Sequence, residues 1–117
     1  MTEAWRDDAL LLDILIAARK ATALASGFDW PQFEGDETKQ LAVTRLIQII
    51  GEAARGLSHE SRLAHQEIEW AKIIGMRNRL VHNYSRVNLR IVWDVIQNEL
   101  PVIIDAIEPL VPPPEDN

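Results

Sequence analysis

Apolar side chains recur every three to four residues along most of this chain, which is the period of an amphipathic α-helix. The first stripe predicts a helix over about Arg6 to Ala25, and its members are Leu11, Ile14, Leu15, Ala18 and Thr22. Leu10, Leu12 and Ile16 lie off this stripe. A helix that is apolar on more than one face usually buries both. The second face could therefore meet another subunit.

The same periodicity predicts four further helices, over about residues 36–55, 58–64 and 68–83 and from Asn88 onward. Residues 26–35 read as a loop because glycine and proline interrupt them, and Gly56 reads as a C-cap. Gly51 lies mid-helix, where close approach of another helix would explain it. Pro101 lacks an amide hydrogen and should kink the last helix near Gln97.

These elements predict an all-α fold. No segment sustains an alternation of apolar and polar residues, so we expect no sheet. Long helices with short connections favour an antiparallel four-helix bundle with one extra short helix. We expect a single domain over residues 1–110, followed by a flexible proline-rich tail over residues 111–117.

Composition narrows the class of protein. The 117 residues include no cysteine, which excludes a disulfide framework and a thiolate zinc site and fits a reducing compartment. No apolar run approaches the roughly 20 residues that cross a bilayer. The first residues carry acids and lack a signal-peptide pattern. We therefore expect a cytoplasmic protein without a membrane segment and without a cofactor.

The charge is unevenly distributed. The chain carries a net charge of −6, but residues 71–92 contain no acid and five cations, so the rest of the chain carries −11. The five cations are Lys72, Arg77, Arg79, Arg86 and Arg90. Such a segment is either a solvated helix face or a phosphate-binding patch, and composition leaves both open.

Within this segment, Arg77, Asn78 and His82 carry side chains suited to RNA cleavage. Cleavage beside a ribose requires proton transfer from the 2′-hydroxyl, proton transfer to the leaving 5′-oxygen, and stabilisation of phosphate charge. Histidine can serve either proton step at neutral pH, and arginine stays cationic and binds phosphate oxygens in pairs. Asparagine can hold the phosphate or orient the imidazole.

Helical geometry limits how these groups meet. If the helix continues to residue 83, Asn78 and His82 share a face, whereas Arg77 and His82 lie about 140° apart. A bend at the helix end, or a two-fold axis that pairs two such helices, would gather them in one cleft.

The chain resembles the HepT-like toxins of the HEPN superfamily. Arg77, His82 and Tyr84 match their RX4HXY motif, and similarity extends to residues 50–54, 74–82, 91–96 and 100–101. The resemblance implies a HEPN-like homodimer with the motif at the subunit interface. It further implies a metal-independent endoribonuclease toxin, a minimal nucleotidyltransferase as antitoxin, and AMP transfer to Tyr84. We assign catalysis to Arg77, Asn78 and His82, and substrate binding to Arg79 and Arg86.

Two other classes of function stay open on sequence alone. One is a non-catalytic helical dimer that binds nucleotide or RNA through the same motif. The other is a structural partner protein with Arg77 and Arg79 in salt bridges. His59 and His65 fit no common metal-ligand spacing on one helix face and read as surface residues, and the four tryptophans read as packing residues.

Overall fold

The computed structural model describes residues 2–82 and 86–113, with His82 described by its backbone alone. These residues form eight α-helical segments, which are α1 (Glu3–Ala25), α2 (Trp30–Glu34), α3 (Glu37–Gly56), α4 (His59–Ala64), α5 (Trp70–Ile74), α6 (Met76–Leu80), α7 (Leu89–Asp94) and α8 (Leu100–Ile107). A π-helical segment, Val95–Glu99, joins α7 to α8, and a 3-10 turn, Glu108–Leu110, follows α8. Two residues each form strands β1 (Val81–His82) and β2 (Arg86–Val87).

The core lies between α1, α3 and the last helical run, and its side chains come from the predicted apolar stripes. Ile14 of α1, Ile47 and Ile50 of α3, and Leu100 and Ile107 of α8 are fully buried. Burial of one such side chain contributes about 1.5–3 kcal/mol. The all-α fold is therefore confirmed, with the apolar period of each long helix directed at a common core.

Residues 26–35, predicted as a loop, contain the short helix α2. Asp29 caps it: its carboxylate accepts from the Gln32 amide at 2.9 Å, and the Gln32 side chain accepts from the Asp29 amide at 2.9 Å. Pro31 occupies the first turn, where its missing amide hydrogen costs nothing. The prediction was wrong because proline and glycine were taken as helix breakers, whereas this is the arrangement of a capping box. Among the described residues, α2 is therefore a short helix that the sequence did not predict, in addition to the predicted α4.

The last helix begins and deforms close to where the sequence predicted. The Asn88 side chain accepts from the amides of Arg90 and Ile91, which confirms the predicted N-cap. The π-helical segment Val95–Glu99 surrounds Gln97, four residues before Pro101. A proline displaces the carbonyl four residues before it and withholds one hydrogen bond, so the helix widens there.

Gly51 of α3 lies where α5, the helix just before the motif residues, comes close to α3. A Cβ atom added at Gly51 would lie 3.4 Å from the carbonyl oxygen of Ile74 and 3.5 Å from that of Ile73. The expected close approach is confirmed, and α5 is the element that makes it. Helix α3 ends at Gly56, so its C-cap residue is Leu57 rather than the predicted Gly56.

A buried acid holds the start of α4. Asp7 of α1 is 8% exposed and accepts from the backbone amide of Ser58 at 2.8 Å and from its hydroxyl at 2.6 Å. The Ser58 hydroxyl oxygen in turn accepts from the Ser61 amide and caps α4. This link, across 51 positions, fixes α4 against the bundle.

The second apolar face of α1 is partly solvent-exposed in the single chain. Trp5 is 62% exposed, and Leu12 and Ile16 are each 42% exposed, whereas Leu10 packs partly against the core. Trp5 is thus an exception to the expectation that the tryptophans pack internally.

Across the described residues, no helix is both long enough and apolar enough to cross a membrane.

Candidate functional site

Gly75 divides the predicted motif helix into α5 and α6. Its backbone has φ −79° and ψ −6°, and a Cβ atom there would lie 3.1 Å from the carbonyl oxygen of Ala71. That distance is tighter than nine in ten real Cβ contacts, so a side chain here would require the Ala71 carbonyl to shift by a few tenths of an ångström.

Helix α6 presents three polar side chains between two buried anchors. Met76 and Leu80, four positions apart, are fully buried. Arg77, Asn78 and Arg79 lie between them and are exposed. Because residues four apart share a face, the anchors fix the orientation of α6 and leave the polar residues outside the core.

The helix ends at Leu80 rather than near residue 83. Val81 has extended backbone angles, φ −90° and ψ 123°, and the Leu80 carbonyl accepts from the Asn88 amide at 2.6 Å. The predicted helical relationship between Asn78 and His82 is therefore wrong, and the expectation of no sheet missed this small ribbon. A pairing of only two residues leaves no alternation to read in the sequence.

Strands β1 and β2 bring the backbones of His82 and Arg86 together. They pair antiparallel, with Val81 opposite Val87 and His82 opposite Arg86. Directly opposed residues in such a ladder have Cα atoms about 4.5–5.5 Å apart. Arg86 is exposed. The ribbon, rather than the predicted bend at the end of a helix, thus places the backbone of His82 beside that of Arg86. Tyr84, the predicted modification site, lies outside the described residues.

Arg79 is engaged by Glu99. Its guanidinium donates to both carboxylate oxygens of Glu99, at 2.8 and 2.9 Å, and Lys72 lies 3.9 Å from the same carboxylate. The Glu99 side chain is only 12% exposed. Hydrogen bonds from Arg79 hold the pKa of Glu99 below its ordinary value, against the opposing effect of burial. The same bonds raise the pKa of Arg79.

The five cations of the basic segment therefore divide into two groups. Lys72 and Arg79 share Glu99, and the Arg90 guanidinium lies 4.1 Å from the centre of the Trp30 ring. Arg77 and Arg86 make no ion pair with any residue in 2–82 or 86–113. Arg77 is the first residue of the motif, and Arg86 lies opposite His82 on β2.

Glu99 is the residue near the site that sequence reasoning missed. It follows Arg79 by 20 positions and lies in the π-helical segment, whose extra residue per turn sets the direction of its side chain. Pro101 signalled the deformation but not the partner. Only the packing of α6 against the last helix identifies the acid that holds Arg79.

Histidine and carboxylate groups elsewhere do not assemble a metal-binding cluster within the described residues. The imidazole Nδ1 of His65 lies 3.6 Å from Glu67, and the Trp70 indole donates to the His65 carbonyl at 3.0 Å. Trp30 and Trp93 form an aromatic group with Phe33, with ring centres 5.3–6.4 Å apart. For Trp30, Trp70 and Trp93, the prediction that the tryptophans are packing residues is therefore confirmed.

Comparison with known proteins gives one consistent result. A family model described as "Ribonuclease HepT-like" matches residues 14–110. The chain is 33% identical over 75 residues to a Thermococcus cleftensis protein named "Probable ribonuclease HepT", covering 64% of this chain and 68% of the relative. It is 40% identical over 75 residues to a "Putative RNase" of Caldanaerobacter subterraneus subsp. tengcongensis, covering 64% of this chain and 67% of the relative. A "Putative RNase" of Methanocaldococcus jannaschii is 29% identical over 100 residues, covering 86% and 92%. No solved structure matches the chain.

Proposed function

The chain belongs to the HepT-like ribonuclease family, and from that premise we propose that it is a metal-independent endoribonuclease that acts on cytoplasmic RNA. The observation that carries the proposal is the family match over residues 14–110, which spans the whole motif segment. The exposure of Arg77 and Asn78, with no acid paired to Arg77 among the described residues, supports it.

In the proposed reaction, the 2′-oxygen of a ribose attacks the adjacent phosphorus and the bond to the 5′-oxygen breaks. His82 moves a proton, either from the 2′-hydroxyl or to the departing 5′-oxygen. Two-fold pairing of chains would supply a second His82, so that one imidazole accepts a proton while the other donates one. Arg77 would stabilise the charge on the non-bridging phosphate oxygens, and Asn78 would hold the phosphate. The products are a 2′,3′-cyclic phosphate and a 5′-hydroxyl.

Substrate contacts in this proposal extend to Arg86 and Arg79. Arg86 is exposed and directly opposite His82 in the β1–β2 ladder, which favours a phosphate contact close to the motif. Arg79 is held by Glu99, so an RNA phosphate would have to share its guanidinium or displace the carboxylate. Its role as a substrate contact stays a prediction, with a positioning role for α6 as the alternative.

The test of catalysis is RNA cleavage by the purified chain in excess EDTA, with fragment ends identified by mass spectrometry. We expect cyclic-phosphate ends, and a rate loss of at least about a hundredfold in His82→Ala. His65→Ala is the matched control, because this histidine lies near Glu67, outside the motif. Activity that disappears with EDTA and returns with magnesium would contradict the mechanism. RNA binding without any cleavage would favour the non-catalytic alternative.

We also propose a homodimer with the motif at or beside its interface. The exposed apolar residues on the outer face of α1, Trp5, Leu12 and Ile16, support assembly. Light scattering should give twice the chain mass at micromolar concentration. A fully active monomer would contradict the dimer but not the chemistry.

The proposed biological setting is a toxin–antitoxin pair with a minimal nucleotidyltransferase. That partner would transfer AMP from ATP to the phenol oxygen of Tyr84, with release of pyrophosphate and the phenol proton, and would so add a phosphodiester anion and a nucleoside next to the motif in sequence. Co-expression with a cognate nucleotidyltransferase, followed by intact mass and peptide mapping, tests this. Tyr84→Phe should escape silencing. Modification at another residue, or equal silencing of Tyr84→Phe, would contradict the covalent mechanism.

A further inference from the structure

A groove of about 710 Å³ is lined by residues of α3, α4, α5 and α6. Its lining includes Asn78 of α6, His59 and Arg62 of α4, and Arg55 from the end of α3. Ile74 and Gly75 also line it, so the break between α5 and α6 lies within the groove. The groove is therefore continuous with the segment assigned to catalysis.

The charge of this groove is opposite to that of the chain as a whole. Among the described residues that line it there are two arginines and one histidine but no aspartate or glutamate, although the chain carries 18 acids and 12 lysines and arginines. Neither Arg55 nor Arg62 forms an ion pair with any residue that the structure describes. By contrast Arg19 and Arg45, elsewhere on the surface, each pair with a glutamate.

A second observation concerns the Arg62 side chain. The Nε atom of Arg62 is buried and has no hydrogen-bond partner among the described residues. Buried donors of this kind are uncommon because a desolvated N–H group without an acceptor is unfavourable. Arg62 as a whole is only partly buried, and no carboxylate among the described residues pairs with it or lines the groove, so its side chain is open to an anion that arrives from outside.

The other lining groups are suited to unpaired nucleotides. Gln66 and Asn78 carry amides that can donate to and accept from base edges, and Leu63 is a half-exposed apolar side chain. The buried Trp70 indole is fixed by its bond to the His65 carbonyl, so it forms a wall rather than a mobile stacking group. Base edges are free for such contacts in single-stranded RNA and largely concealed in a duplex.

We propose that this groove, the α4 groove, is a subsite for single-stranded RNA in which Arg55 and Arg62 bind backbone phosphates adjacent to the cleaved bond. The proposal rests on the proposed function, because it takes RNA as the substrate. It assigns the polynucleotide a path from Arg77 and Asn78 on α6, over the break at Gly75, and along α4. Arg55 and Arg62 would contribute to affinity and not to the chemical step.

Binding of a labelled single-stranded RNA of about a dozen nucleotides tests the proposal, since single-strand sites commonly span about 4–16 nucleotides. The riboses carry 2′-O-methyl groups, so the probe cannot be cleaved. Fluorescence anisotropy at several salt concentrations gives the affinity and its salt dependence. Arg55→Gln/Arg62→Gln should weaken binding at least about tenfold and reduce the slope of log K against log salt by about 1.4, from two lost phosphate contacts.

The matched control is Arg19→Gln/Arg45→Gln, which removes the same charge from arginines that are paired with glutamates outside the groove. It should change neither the affinity nor the slope by a comparable amount. Equal weakening in both double variants would show a non-specific charge effect and overturn the proposal. Wild-type affinity in the groove variant would overturn it as well, as would a duplex that binds as tightly as the single strand.

Cross-linking of the unchanged chain gives an independent measurement if the groove variant fails to fold. RNA that contains 4-thiouridine should cross-link to peptides from residues 55–66 on irradiation, and cross-links confined to other regions would overturn the proposal. Cleavage assays in parallel separate the two hypotheses. The groove variant should raise KM and leave kcat close to wild type. A wild-type chain that binds the probe through Arg55 and Arg62 but never cleaves RNA would refute the proposed function alone.

Discussion

The pairing of Arg79 with Glu99 gives the sharpest test of how the motif helix is held in place. Glu99→Gln removes the carboxylate charge but keeps the size and one oxygen acceptor. Two hydrogen bonds of 2.8 and 2.9 Å would be reduced to one neutral contact. This contact adds to the burial of Met76 and Leu80 in holding the five-residue α6 in place.

The magnitude follows from the burial of the two partners. The Glu99 side chain is 12% exposed and that of Arg79 is 38% exposed, so solvent still screens the pair from one side. Exposed pairs contribute about 0.2–1 kcal/mol, and hydrogen bonds to charged groups about 1.5–3 kcal/mol. We expect Glu99→Gln to lower the free energy of unfolding by about 1–2 kcal/mol, or Tm by roughly 4–10 °C at this chain length.

The effect should depend on pH in a direction that the pKa sets. Arg79 holds the pKa of Glu99 below its ordinary value in the folded chain, so the folded state favours the ionised carboxylate. Stability from this group is fully present above the unfolded pKa and is lost as pH falls through the folded pKa. The difference between wild type and Glu99→Gln should therefore be largest near neutral pH and shrink in acid.

Urea unfolding at fixed chain concentration, from neutral pH down to about pH 3, measures this difference. Glu52→Gln is the control with the same charge change, because Glu52 is half exposed and lies 3.4 Å from Arg45. It should cost less than about 0.5 kcal/mol at any pH. A Glu99→Gln variant as stable as this control, or a difference that stays constant in acid, would refute the reasoning.

Three further predictions concern the scaffold. Gly51→Ala should be tolerated in thermal unfolding, because its Cβ would lie 3.4 Å from the Ile74 carbonyl oxygen. Gly51→Leu should lower the free energy of unfolding by about 1–3 kcal/mol, because the larger side chain overpacks the same contact. Equal stability of the two variants would contradict the close approach. Asp7→Ala should lower the free energy of unfolding in urea by about 1–3 kcal/mol, because both donors of Ser58 lose their acceptor, and an unchanged midpoint would mean that the link is not stabilising. Asn88→Ala should cost about 1 kcal/mol by circular-dichroism melting, and Asn88→Asp should recover most of it if the cap is the cause.

Most of the fold could be predicted from the sequence because its signals are local. The apolar stripe of α1, the cap at Asn88 and the deformation before Pro101 each depend on residues within a turn or two. The loop assigned to residues 26–35 failed on equally local grounds. The sequence of this segment contains a proline in the first helical turn and the Asp29–Gln32 capping box, which both indicate a helix. The prediction instead treated its proline and glycines as helix breakers.

The candidate site was predicted only in part. The motif spacing identified Arg77, Asn78 and His82 as one segment, but it placed them on a continuous helix. The end of α6 at Leu80 and the turn into β1 separate His82 from the helix that carries Arg77 and Asn78, and this turn is held by a contact from outside the segment. The amide of Asn88, which donates to the Leu80 carbonyl, is eight positions away and gave no sequence signal of its own for this role.

The sequence by itself determined the helical class, the approximate helix limits, the basic segment and the residues of the motif. Each of these depends on periodicity, capping or composition, which act between neighbours along the chain. Tertiary structure alone decided that Glu99 engages Arg79, that Arg86 lies opposite His82, and that Arg55 and Arg62 border one groove with Asn78. These relations join residues that are distant in sequence or held in non-helical backbone. They become defined only when burial of the core fixes the helices against one another, because no local preference of the chain encodes which surface groups then meet.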